Sequence, residues 1–125
     1  MEMEAEELRA WATLLRIPGL THERVSHALQ SIASVAELVR AARHRPELLQ
    51  LTEHARSQLE VLDTGVVDRD LEWLAVPNRH LIPLTSPLYP PLLVHAGGAP
   101  PALYVFGSVE ALVSPQLAIV GSRNP

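Results

Sequence analysis

Six prolines crowd into a short central stretch of this chain: Pro83, Pro87, Pro90, Pro91, Pro100 and Pro101. Each one fixes φ and removes a backbone donor, so the stretch can be neither one long helix nor a central strand. It divides the chain. Ahead of it lie segments with helical periodicity, and after it lie short β-prone runs closed by glycines. The expected architecture is α+β. An all-α domain should cover residues 1–78, with a proline-rich arm and the first strands of an incomplete α/β domain over residues 79–125.

Five apolar stripes at helical spacing fill the amino-terminal part. Leu8, Trp11, Ala12 and Leu15 line one face of a first helix, whose opening turn carries Glu4, Glu6 and Glu7. Pro18-Gly19 ends it, and Thr21 is placed to cap a second helix with Val25, Ala28, Leu29 and Ile32 on one side. Ser34 and Glu37 make a capping-box pattern ahead of Val35, Leu38, Val39 and Ala42. A break at His44-Arg45-Pro46 precedes a fourth helix from Thr52 through Ala55, Leu59 and Leu62. Asp63-Thr64-Gly65 is a further turn signal. A fifth helix then carries Val67, Leu71 and Leu74 until Pro77 stops it. Asp68, Arg69, Asp70 and Glu72 oppose that last stripe and read as a solvated face. Stripes that are apolar on one side only must be buried against one another.

Beyond the helices, His80–Leu84 suits a short edge strand. Tyr89–Leu93 suits a turn entering one helical turn, ended by Gly97-Gly98, and Leu103–Phe106 suits a second strand. Tyr89 reads as a packing residue with its ring buried and its hydroxyl at the surface. Ser108 should cap a short helix containing Leu112. The chain then closes on Leu117-Ala118-Ile119-Val120-Gly121-Ser122-Arg123, an apolar run without alternation that meets a glycine, a hydroxyl and an arginine. Such a run suits a strand buried on both faces, as in a parallel sheet. A glycine at its carboxyl end lets backbone N–H groups approach a phosphate, and the planar fork of Arg123 fits phosphate oxygens.

The order Tyr89-Pro90-Pro91-Leu92-Leu93, Pro100-Pro101-Ala102-Leu103-Tyr104-Val105-Phe106-Gly107, then Ala118-Ile119-Val120-Gly121-Ser122-Arg123 resembles the DNA-processing protein A family (DprA, also called Smf). The resemblance implies a SAM-like or helix-hairpin-helix-like amino-terminal domain, then an extended Rossmann-like domain. It implies a non-enzymatic mediator that binds single-stranded DNA, forms dimers and helps load RecA recombinase in natural transformation. Gly121, Ser122 and Arg123 are the nucleic-acid-binding candidates. A member of that family should continue beyond Pro125, so the chain reads as an amino-terminal fragment. Ile17-Pro18-Gly19-Leu20 is similar to the turn of a helix-hairpin-helix motif, although Thr21 stands where that pattern has a second glycine. Arg16, Gly19 and Arg24 are therefore candidate contacts to DNA or to a protein partner, with a plain helix-capping turn as the alternative.

Charge and composition narrow the functional classes. The formal net charge is −4, and all ten cationic side chains are arginine, which argues against a polybasic nucleic-acid binder. Phosphate can still be held by locally placed arginines. The absence of cysteine removes disulfides and thiolate metal sites. The six histidines are scattered, and the pair His22 and His27 lacks the four-residue spacing of a helical metal site. Ser122 lacks the G-x-S-x-G context of a nucleophile elbow. No cofactor, metal or catalytic group is expected. No apolar run nears the roughly 18 residues of a membrane helix. The acidic start Met1-Glu2-Met3-Glu4 is no secretory signal, so a cytoplasmic protein without membrane contact is expected. Two other classes stay open beside the DNA mediator. One is a protein-interaction module that binds no nucleic acid itself. The other is a nucleotide-using enzyme on a Rossmann-like fold, from whose G-x-G-x-x-G the Gly-Ser-Arg turn departs.

Overall fold

The computed structural model describes residues 4–107, which form six α-helices and a two-stranded antiparallel sheet. Helix α1 (Ala5–Leu15) carries Glu6 and Glu7 in its first turn and buries Ala10, Trp11 and Leu14. Helix α2 (His22–Ala28) buries His22, Val25 and Ala28. It stops short of the expected Ile32 because the amides of Gln30 and Ser31 bond three residues back, to His27 and Ala28, and tighten the chain into turns. Leu29 and Ile32 still pack on the core from those turns, so their apolar spacing is satisfied without a longer helix.

Helix α3 (Val35–His44) begins as the capping pattern predicts, with the Ser34 hydroxyl accepting from the Glu37 amide at 3.2 Å. Pro46 opens a 3-10 turn (Pro46–Leu49), which ends at Gln50 in the left-handed region at φ 53°. Helix α4 (Glu53–Glu60) is capped by Thr52, whose hydroxyl accepts from the Ala55 amide at 3.1 Å. Asp63 caps α5 (Thr64–Leu74) through the Gly65 amide at 2.9 Å, so the expected turn is a helix start. Helix α1 lies against α3 and α5, and the core gathers around Trp11, Leu14, Leu38 and Leu49. Truncating a side chain such as Leu38 to alanine should cost about 2–5 kcal/mol.

Strand β1 (Arg79–Pro83) pairs antiparallel with β2 (Ala102–Phe106), Leu81 facing Tyr104 and Ile82 facing Leu103. Asn78, in the left-handed region at φ 66°, turns the chain out of α5 and accepts the Gly107 amide at 2.7 Å, closing that end of the ladder. The connection between the strands contains α6 (Pro91–Ala96), with Pro91 at its start, where a missing donor costs nothing. Alternation along the strands gives the sheet two different faces. Leu81, Ala102 and Tyr104 join the helical core, whereas Ile82, Leu103 and Val105 pack with Tyr89 and Ala99 into a second cluster. The helical stretch and the sheet thus share one continuous core across residue 78. The expected short helix after Ser108 and the expected strand at Leu117–Val120 lie outside the described residues.

Candidate nucleic-acid interface

The turn between α1 and α2 is pinned from inside by Ile17 and Leu20, both buried, while Pro18 and Gly19 face outward. Gly19 has φ +74°, and a Cβ added there would meet no atom within 4 Å. Its requirement is therefore conformational, the left-handed backbone that side chains resist. Thr21 occupies the cap position of α2, but its hydroxyl makes no cap bond. The orphan amide at the next residue finds a different partner: His22 N–H donates to the Ala99 carbonyl of the arm at 2.7 Å. One of the backbone donors that such a turn would offer a phosphate is already used inside the fold.

Side chains reinforce the same contact. The His22 ring stacks on Tyr89 with centroids 6.3 Å apart and planes 14° from parallel. The Tyr89 ring is buried as expected, and its hydroxyl donates to the Pro100 carbonyl at 2.6 Å. Burial, with Glu23 adding repulsion, pushes the Tyr89 hydroxyl up to about 12. His22 Nδ1 is buried without a hydrogen-bond partner and lies 3.7 Å from a Glu23 carboxylate oxygen.

Four of the eight arginines of the helical stretch, Arg9, Arg16, Arg40 and Arg45, are answered by carboxylates. Arg16 grips Asp70 with two bonds, Nε to Oδ2 at 2.9 Å and Nη2 to Oδ1 at 2.6 Å. This bond to Asp70 raises the Arg16 guanidinium above its ordinary value. Arg9 pairs with Asp68 and Arg40 with Glu6, each at 2.7 Å. The expected solvated face holds for the exposed Asp68, Arg69 and Glu72, while Asp68 and the half-buried Asp70 also tie α5 to Arg9 of α1 and to Arg16 at its end. Arg24 is half-buried and makes no ion pair among the described residues. Arg16, Gly19 and Arg24 flank one turn, while Gly121, Ser122 and Arg123 lie outside the described residues.

A second cluster escaped the sequence reading. Arg79 and Phe106 face each other across the strand pair, and the Arg79 guanidinium lies 4.7 Å from the Trp73 ring centre and 5.9 Å from that of Phe106. Tyr104 meets Trp73 edge-on, with centroids 5.7 Å apart. Burial, and then Asp70, pushes the Tyr104 hydroxyl well above its ordinary value, with Arg16 opposing. The three strand residues share one sheet face, a fact that only the register reveals.

Comparison with known proteins bears on the carboxyl-terminal part. Residues 80–125 match the family described as DNA recombination-mediator protein A. Protein Smf of Escherichia coli (strain K12) is 51% identical over 57 residues, which is 46% of this chain and 15% of that protein. The matched stretch is therefore a small part of that curated relative's length. No solved structure matches. The family match starts within β1 and takes in both strands, the arm between them and the Gly121-Ser122-Arg123 stretch.

Proposed function

We propose, from the match of residues 80–125 to the DNA recombination-mediator protein A family, that the chain is part of a protein that binds single-stranded DNA without catalysing a reaction. The wider protein helps load RecA recombinase in natural transformation and acts as a dimer. Its DNA-binding domain is of extended Rossmann-like form, and β1, α6 and β2 are the opening elements of that domain. The observation that carries the reading is the family match, because it runs through Gly121, Ser122 and Arg123. In this reading the N–H groups of Gly121 and Ser122 and the fork of Arg123 hold a backbone phosphate.

The helical stretch, of SAM-like or helix-hairpin-helix-like form, contributes a protein contact rather than a phosphate contact. Two observations favour that division. The arginines Arg9, Arg16 and Arg40 are neutralised by carboxylates, and the first amide of α2 is bonded to Ala99. Neither is arranged to receive an anion.

Arg123→Glu, measured on oligo-dT in the protein that carries this chain, tests the assignment. A charge reversal with lost hydrogen bonds should weaken binding by about 2 kcal/mol or more. Undiminished binding at moderate salt would overturn the role given to Arg123.

A further inference from the structure

Where α5 meets the end of the sheet, an arginine lies within 6 Å of the centres of two aromatic rings. Arg79 is fixed from behind: Nη1 donates to the Trp73 carbonyl at 3.4 Å, and Nε is buried with no partner. Trp73 is braced in turn by the edge-on Tyr104. Phe106, by contrast, is 56% exposed. A large ring left this open while its neighbour supplies a cation is an arrangement that interior packing does not require.

The charge around the cluster differs from that on α1. Arg69 lies four residues before Trp73 on α5, one turn away on the same face. It is exposed, and no carboxylate pairs with it among the described residues. Arg79 likewise rests on rings rather than on an acid. The opposing charges on the same helix are Glu72, which is exposed, and Asp68 and Asp70, which are paired with Arg9 and Arg16. An open aromatic face with one cation 5.9 Å from its ring centre, and another one helical turn from the neighbouring Trp73, suits an unpaired base and its phosphate. A duplex keeps its base faces stacked and would not offer one.

We propose that Phe106, Arg79 and Arg69 form a stacking site for an unpaired nucleobase of single-stranded DNA, separate from the Gly121-Ser122-Arg123 turn. The base lies on the open surface of Phe106, the Arg79 guanidinium supports that ring from its other neighbours, and Arg69 meets the adjoining phosphate. The proposal rests on the single-stranded DNA reading given above.

Tryptophan fluorescence during titration with oligo-dT tests it in the protein as it stands. Of the chain's two tryptophans, Trp11 is 2% exposed and gives a constant background, so quenching reports Trp73. Saturable quenching is expected, weakened about tenfold by Phe106→Ala and retained by Phe106→Tyr. Arg69→Gln should lower the salt dependence by about one phosphate, and Glu72→Gln should tighten binding. Phe106→Ala alters an exposed side chain, and its melting curve confirms that the fold survives. If Phe106→Ala and Arg69→Gln both bind as the parent does while Arg123→Glu weakens binding, the stacking site is wrong and the turn stands. If the parent binds oligo-dT without quenching, the stacking site alone falls, and if it does not bind oligo-dT at all, both readings fall together.

Discussion

The amide of His22 donates to the carbonyl of Ala99, and this bond joins the turn before α2 to the arm that precedes β2. Seventy-six residues of intervening chain (23–98) are closed by a contact whose other members are the His22 and Tyr89 rings and the Tyr89 hydroxyl on Pro100. The turn between α1 and α2 is therefore tied to the arm as a structural joint. Tyr89→Phe keeps the ring and loses only the 2.6 Å bond, which should cost about 1 kcal/mol in urea unfolding. Tyr89→Ala removes the ring as well and should cost about 3–5 kcal/mol. Equal losses for the two variants would show that the ring contributes nothing.

The same residue makes stability sensitive to alkali. Its folded-state value of about 12 lies above the ordinary 10.0, so the folded chain favours the neutral phenol. That contribution is fully present below pH 10 and is lost as pH rises towards 12. Tyr104 is shifted in the same direction, again mainly by burial. Chemical unfolding followed across this range should therefore show a falling midpoint above pH 10. Tyr89→Phe should make the fall shallower, and an unchanged slope would remove Tyr89 from the account.

Much of the helical layout was legible because burial on one side imposes a period of 3.6 that survives in composition, as at Val35, Leu38, Val39 and Ala42. Caps were legible for the same local reason, and Ser34 and Thr52 bond as their types suggest. What stayed hidden depends on partners distant in sequence. Nothing local says that Arg79 pairs with Phe106, or that Leu81 and Ile82 serve two different clusters. Nor does the run Asp68-Arg69-Asp70 reveal that both acids reach α1. Thr21 has the right residue type for a cap but makes no such bond, and the α2 amide beside it bonds to the arm instead.

Arg16 and Asp70 offer a test of the helical stretch as a DNA surface. Their bidentate pair is unequal, with the Asp70 side chain 17% exposed and that of Arg16 46% exposed. Removing Arg16 strands a mostly covered carboxylate, so Arg16→Gln should destabilise by about 1–2 kcal/mol. Its effect on oligo-dT affinity should be negligible once the folded fraction is held constant. A clear loss of affinity at full folding would return Arg16 to the DNA site.

Gly19 separates a conformational requirement from a binding one. At φ +74° an alanine must adopt a left-handed backbone, which costs about 1–2 kcal/mol, and there is no neighbouring atom to clash with. Gly19→Asn should recover part of that loss, since asparagine tolerates this region better than alanine does. If the glycine serves the turn alone, thermal stability should rank Gly above Asn above Ala while oligo-dT affinity stays level. If instead a DNA backbone approaches here, both side chains would obstruct it, and affinity would drop for Asn at least as far as for Ala. The bond from His22 to Ala99 favours the first ranking, because the first amide of α2, three residues after Gly19, is already committed within the fold.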